Sequence, residues 1–284
     1  MVMTDVIQSE YVDTSIQHEF DQDGVVCLRQ VISPEWIAKL KNALPTAIQL
    51  AGPNHFRFEN PGEAGLFFGD VLVWQRVPVF EEFMRTGPLA AVAGSLMQSR
   101  TVTFYHDFLL IKEAGTSKRT PWHQDQSYWC VGGTQALTIW TPLDMVPLET
   151  SLEFVKGSHR WGQLFEAVPF DPSSKFRGDR DGRPPLPDID AVPEDYDILR
   201  WAMEPGDCLV FNCKTLHAAP GNQDPRRSRR VLSTCWAGDD AHYVEIKSDI
   251  APPVKGDNLT PGQALACPTF PQILPVPGPL PETV

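Results

Sequence analysis

Within TPWHQDQSYW (residues 120–129), a histidine and a carboxylate, His123 and Asp125, stand two residues apart among Trp122, Tyr128 and Trp129. On an extended strand, positions i and i+2 share a face. Imidazole and carboxylate would then aim at one point, which makes two thirds of a metal site and equally an ordinary hydrogen-bonded pair. His217, in KTLHAAPGN on the strand opened by EPGDCLVF, is the candidate third ligand. Two neutral imidazoles and one carboxylate with open positions form the facial triad of non-haem Fe(II) oxygenases. Imidazole suits Fe(II), one carboxylate lowers the net charge, and the vacant faces can take a bidentate cosubstrate plus dioxygen. The HExxH or three-histidine patterns of zinc hydrolases are not seen.

An oxoacid cosubstrate has a far carboxylate, and arginine offers the two-pronged donor that such a group needs. Arg229 and Arg230 open the strand that follows His217. Alternation puts Arg229, Val231 and Ser233 on one face, so Ser233 could add a hydroxyl to the same carboxylate. His159, in GSHRWG, is expected to cap a turn and bind backbone rather than to be a fourth ligand. His106 reads equally as a substrate contact or a sheet-face histidine. Trp122, Tyr128 and Trp129 are candidate substrate contacts, and packed core aromatics are the plain alternative.

These side chains need elements to position them. Residues 17–32 read as a short helix, a turn at Asp23-Gly24 and a strand over Val25–Leu28. Ser33 is a good N-cap, Pro34 suits the first helical position, and Trp36, Ile37, Leu40 and Leu44 recur at helical spacing. A second helical stretch covers residues 78–98. From residue 101 the period changes. TVTFYHDFLLIKEAG, QALTIWTPLDMV, SLEFVKGSH, GDCLVFNCKTLHAAPGN and RRVLSTCWAG read as five strands separated by turn signals, the pattern of an all-β sandwich or barrel. Residues 170–197 are polar, aperiodic and rich in Pro and Asp; so long a loop inside a compact domain is usually functional or disordered. A lid over a substrate mouth is expected there, with Lys175, Arg177, Arg180 and Arg183 able to meet an anionic substrate. The proline-rich stretch from Ala251 reads as an extended tail along the body. No internal repeat and no clear second domain are seen, so one domain over residues 1–284 is expected.

The 284 residues can bury a large core without disulfides. The net charge of −12 argues against nucleic acid, while a local basic pocket can still take an anionic small molecule. The run Arg226, Arg227, Arg229, Arg230 reads first as a solvated cluster. The scattered Cys27, Cys130, Cys208, Cys213, Cys235 and Cys267, with no CxxC pair, read as reduced buried thiols of a cytoplasmic protein. The acidic N-terminus has no signal-peptide pattern, and no run is long enough for a transmembrane span. A small-molecule substrate, no nucleic-acid or membrane partner, and a monomer or homodimer are expected.

The set WHQD, IWTPLD, GSHRWG, EPGDCLVF, LHAAPGN and RRSRRVLS resembles the phytanoyl-CoA dioxygenase family of Fe(II)/2-oxoglutarate-dependent oxygenases, over about residues 18–240. The resemblance implies a mainly β fold, a double-stranded β-helix (jelly-roll) core with flanking N-terminal helices. It implies His123, Asp125 and His217 as iron ligands, Arg229 and Ser233 at the far carboxylate of 2-oxoglutarate, and Gln124 and Trp140 lining the cosubstrate pocket. The implied reaction uses Fe(II), 2-oxoglutarate and dioxygen, yields succinate and CO2, and hydroxylates or otherwise oxidises an unactivated C–H. The sequence departs from the family at LETSLEFVKGSH, where Glu149, Thr150 and Ser151 replace a frequent Asn-Gly turn. Asp125 at the carboxylate position disfavours a halogenase, because chloride would need that place. Two other readings are a metal-dependent jelly-roll enzyme that does not use 2-oxoglutarate and a non-catalytic β-sandwich binding module.

Overall fold

The computed structural model describes residues 6–170, 182–246, 254 and 256–275. Four helices are described: α1 (Thr14–Asp23), α2 (Pro34–Gln49), α3 (Pro78–Thr86) and α4 (Leu89–Leu96). Asp13 caps α1 through the Ile16 amide, and Gly24 ends it in the left-handed conformation (φ 78°) that glycine adopts without steric penalty. Ser33 caps α2 with Pro34 in its first turn, as expected from the sequence. The helical stretch at 78–98 divides into α3 and α4 at Gly87-Pro88, because the residue before a proline is disfavoured in the helical region.

The strands are β1 (Val25–Leu28), β2 (Phe56–Glu59), β3 (Leu66–Val71), β4 (Val102–Lys112), β5 (Thr120–His123), β6 (Val131–Gly132) and β7 (Ala136–Pro142) in the first half. They continue with β8 (Glu153–Val155), β9 (Ile198–Leu199), β10 (Cys208–Asn212), β11 (His217–Ala219), β12 (Arg229–Ala237), β13 (His242–Tyr243) and β14 (Gln272–Leu274). A large antiparallel sheet runs β1-β10-β7-β12-β4-β3-β2, with β14 also on β4; a smaller one runs β5-β11-β8-β9. Their inner faces together line one cavity, and the core is a double-stranded β-helix with the N-terminal helices outside.

Alternation along the large sheet explains the layering. Leu109 and Ile111, Leu137 and Ile139, Val210, and Leu232 face the helices and pack with Leu40, Phe80, Phe83 and Val92. The intervening residues Phe108, Leu110 and Lys112 on β4, Trp140 on β7, and Arg229, Val231 and Ser233 on β12 face the cavity instead. A register shift between Cys235 and Trp236 breaks the alternation at the far end, so that Phe104 joins the helix-facing core while His106 stays on the cavity side.

One strand expected from the sequence is two. GDCLVFNCKTLHAAPGN forms β10 in the large sheet and β11 in the small one, joined by a turn closed by the Thr215 amide on the Asn212 carbonyl (2.8 Å). A jelly roll moves the chain between sheets at such corners, and polar Asn212, Lys214 and Thr215 interrupt the apolar run at this one. All six cysteines are free, with Cys27 and Cys267 only half-buried rather than buried. No described helix is long and apolar enough to cross a membrane.

Of the expected lid, residues 171–181, and with them Lys175, Arg177 and Arg180, lie outside the described residues. The described part has a short 3-10 turn at Pro193–Asp195, and Ile189 packs with Trp122 and Leu216. Arg183 donates to the Ser127 carbonyl (2.9 Å). In the C-terminal stretch, β14 pairs with β4, and Phe270 is fully buried against Tyr105.

Candidate metal centre

His123 and His217 are direct partners across the β5–β11 pair, and opposed antiparallel residues bring their side chains within contact range. Their rings lie 4.1 Å apart, centroid to centroid. Asp125 is not on the strand: β5 ends at His123, and Asp125 opens a 3-10 turn, Asp125–Tyr128. Gln124, between His123 and Asp125, keeps extended backbone (φ −115°, ψ 131°), so Asp125 still falls on the His123 side, as i, i+2 alternation expects. Its Oδ1 lies 3.4 Å from His123 Nε2 and 3.6 Å from His217 Nε2. Among the described residues, these three are the group of histidine, cysteine, aspartate and glutamate side chains arranged to hold a metal ion, with ligand atoms within 4.8 Å of one another.

The hydrogen bonds define the chemical state of each ligand. His123 Nδ1 lies 2.8 Å from the Pro121 carbonyl, and His217 Nδ1 lies 3.0 Å from the Thr215 carbonyl. A carbonyl only accepts, so both Nδ1 atoms carry a proton, and each Nε2, turned toward Asp125, is the nitrogen left to bind a metal. Burial and the neighbouring His123 hold the His217 imidazole down at about 4, so it is neutral at physiological pH. Burial pushes the Asp125 carboxyl up, but the two histidines and the Thr138 hydroxyl outweigh it and hold the group at about 2. Thr138 Oγ1, on β7, donates to Asp125 Oδ2 at 2.6 Å and leaves Oδ1 toward the histidines. Two imidazole Nε2 donors and one carboxylate oxygen donor match what a divalent transition metal takes.

The triad opens into a cavity of about 440 Å³. Arg229 lies in its wall, 6% exposed, with its guanidinium 5.9 Å from the centre of the Trp140 ring. Burial lowers its pKa to about 10, which leaves it charged. Ser233 and Trp140 are cross-strand partners and both line the cavity. Arg230 turns the other way and pairs with Asp144 through two contacts of 2.7 and 2.6 Å. The segment at which the sequence departs from the family reaches this end of the cavity, because Arg229 donates to the Thr150 carbonyl.

Two residues expected at the site are turned away from it. Gln124 stands between His123 and Asp125, so its side chain points to the opposite side and is spent on backbone. It donates to the Lys214 carbonyl (2.8 Å) and accepts from the Phe165 amide (2.9 Å). Trp122 likewise packs with Val155, Phe165 and Leu216, and its indole N–H donates to Asp190 (2.9 Å). Tyr128, Trp129 and His106 do line the cavity. The Tyr128 hydroxyl is already engaged with Val168, donating to its carbonyl and accepting from its amide. His159 lies near the Asp21 carbonyl (3.3 Å), a backbone contact as expected from the sequence.

Sequence reasoning missed Lys112, Thr138 and the rings of Phe56, Phe58, Phe108 and Phe170, all at or beside the cavity except Thr138, which reaches the triad through Asp125. Alternation would have found three of them: Phe108 and Lys112 lie two and six residues from His106, and Thr138 two from Trp140. The Phe56 ring sits where a side chain at Gly69 would be, since a Cβ there would lie 2.2 Å from it.

A protein-family model described as phytanoyl-CoA dioxygenase matches residues 20–231, well over half of the chain. Among solved structures, the non-haem alpha-ketoglutarate-dependent carbocyclase SnoK from nogalamycin biosynthesis superposes with a TM-score of 0.71 at 18% identity, over 94% of this chain and 98% of that one. The epimerase SnoN, solved in complex with Fe3+, alpha-ketoglutarate and nogalamycin RO, gives 0.69 at 21% identity, over 91% and 97%. EctD from S. alaskensis, solved with 2-oxoglutarate and 5-hydroxyectoine, gives 0.65 at 18% identity, over 92% and 93%. At these identities the likeness to solved structures establishes the shared fold.

Proposed function

The chain belongs to the phytanoyl-CoA dioxygenase family of Fe(II)- and 2-oxoglutarate-dependent oxidoreductases, and on that premise we propose that it oxidises an unactivated C–H bond of a small, largely apolar organic molecule. His123, Asp125 and His217 hold the iron, and Arg229 and Ser233 hold the far carboxylate of 2-oxoglutarate. The observation that carries this reading is the arrangement of the triad: two Nε2 atoms, each on a ring whose Nδ1 is spent on a backbone carbonyl, and one carboxylate converge on one point in a cavity wall. When bound, iron and 2-oxoglutarate supply the dioxygen activation that the protein's own side chains cannot, with release of succinate and CO2.

The chain's residues do the rest. Thr138 fixes which carboxylate oxygen of Asp125 faces the histidines, and the Pro121 and Thr215 carbonyls fix both imidazole tautomers. Arg229 orients a dicarboxylate against the Trp140 wall. Phe108, Phe170, Tyr128 and Trp129 give the cavity apolar surface that keeps water from the reacting C–H and favours a carbon-rich substrate. SnoN was solved with nogalamycin RO, and a comparable organic framework suits this lining.

The test is Fe(II)- and 2-oxoglutarate-dependent release of succinate from the purified protein, screened for stimulation by candidate organic metabolites, with iron content measured in parallel. His217→Ala is expected to lose both bound iron and succinate release. Full activity in that variant would remove the triad.

A further inference from the structure

Lys112, the last residue of β4, is 2% exposed and points into the cavity wall beside Arg229, its cross-strand partner on β12. The two cations converge on a single acceptor. The Pro220 carbonyl receives Lys112 Nζ at 2.9 Å and Arg229 Nη2 at 3.4 Å. Lys112 also donates to the Ala219 carbonyl at 3.3 Å and sits 4.7 Å from the centre of the Phe67 ring. Arg229 donates besides to the Thr150 carbonyl. Among the described residues, no carboxylate lies within ion-pair distance of either cation; Glu153, on β8, pairs with Arg119 and Arg200 instead.

Carbonyl dipoles and an aromatic face satisfy hydrogen bonds, but they do not neutralise charge. Two desolvated like charges sharing one oxygen are unfavourable in a protein interior unless an anion joins them. Burial and the proximity of Arg229 accordingly depress the Lys112 pKa well below its ordinary value. Both side chains line the same cavity as the triad, at the end of the β4 and β12 stripes away from His106 and Cys235.

We propose that Lys112 is a second cationic anchor for the far carboxylate of the cosubstrate, so that a Lys112–Arg229 pair, rather than Arg229 alone, selects a dicarboxylic 2-oxoacid over a monocarboxylic one. This rests on the assignment of 2-oxoglutarate to the Arg229 end of the cavity. The alternative role on the page is structural: Lys112 pins the Ala219–Pro220 segment, two residues beyond His217, to the end of β4.

Ligand chemistry separates the two roles. Dissociation constants of 2-oxoglutarate and of 2-oxopentanoate, which has the same carbon chain without the far carboxylate, are measured by calorimetry on the full chain loaded with Mn(II), so no turnover is needed. The wild type is expected to prefer the dicarboxylate. Lys112→Met is expected to weaken 2-oxoglutarate by ~10-fold or more, the loss of one hydrogen bond to a charged group, and to change 2-oxopentanoate less than about 2-fold. Lys112→Arg, which keeps the charge, is expected to retain most of the preference. Arg229→Met supplies a check that needs no change at Lys112: a second anchor leaves that variant still preferring the dicarboxylate several-fold. Equal weakening of both ligands by Lys112→Met, or no residual preference in Arg229→Met, would overturn the proposal and leave Lys112 as a pin. A wild type with no preference for the dicarboxylate would instead remove the 2-oxoglutarate assignment itself, and the proposal with it.

Discussion

Replacing Thr138 by valine keeps the shape of a β-branched side chain on β7 and removes one hydroxyl. That hydroxyl makes the 2.6 Å hydrogen bond to Asp125 Oδ2, while the other carboxylate oxygen stands 3.4 and 3.6 Å from the two histidine nitrogens. Asp125 begins a 3-10 turn, so its backbone alone does not lock the carboxylate orientation. A hydrogen bond to a charged group contributes about 1.5–3 kcal/mol. Without it, the metal-free carboxylate can rotate toward other donors, and the metal must pull it back. At about 1.4 kcal/mol per tenfold, the expected loss is roughly 10–100-fold in metal affinity, the range typical of groups that orient metal ligands. The assay is anaerobic titration with Fe(II) or Mn(II), followed by calorimetry, on Thr138→Val and Thr138→Ser. Serine keeps the hydroxyl and is expected to bind metal close to wild type. A folded valine variant with wild-type affinity, or a serine variant as weak as the valine one, would refute the role assigned to this hydrogen bond.

Arg229→Ala is expected to weaken 2-oxoglutarate by about 1.5–3 kcal/mol with little effect on iron. Arg230→Ala should leave 2-oxoglutarate affinity unchanged and cost up to about 1 kcal/mol of stability, because its partly exposed guanidinium pairs with Asp144 outside the cavity; direct binding and urea unfolding of the two variants check both statements. Burial pushes the Asp239 carboxyl up, but donors from Arg100, Thr101 and Ser99 outweigh it and hold the group at about 2, below its ordinary 3.8. Its contribution to stability is therefore full above the ordinary value and is lost as pH falls through about 2. Asp239→Asn should unfold more readily than wild type at neutral pH, and the gap should close as the pH is lowered through that window; a gap that persists unchanged in acid would contradict the assignment.

Much of the site was legible because its signals are local. The i, i+2 spacing of His123 and Asp125, a histidine after a Pro-Gly-Asp strand, and an arginine opening the next strand are all short-range patterns, and alternation correctly put Arg229, Val231 and Ser233 on one face. Alternation also held just past the end of β5. β5 ends at His123 and a 3-10 turn begins at Asp125, but the extended backbone of Gln124 between them keeps the carboxylate on the histidine's side. Gln124 and Trp122 were misplaced because a motif gives residue types in order but not the side to which each points. Their directions follow from His123 facing the cavity, which commits its neighbours to the opposite side.

By itself, the sequence determined the capped N-terminal helices, the main strands after residue 101, the family motifs and the donor set, since helix caps, strand alternation and ligand chemistry all act within a few residues; β2 and β3 were not among them. Only the tertiary structure decided that His217 lies opposite His123, that the chain turns a corner between β10 and β11 from the large sheet to the small one, and that Arg230 pairs with Asp144. It alone also brought Lys112 and Arg229, more than a hundred residues apart in the chain, to one carbonyl oxygen. The physical reason is that pairing between strands distant in sequence is selected by the burial of whole faces against one another, a property of the assembled sheets that no single segment carries.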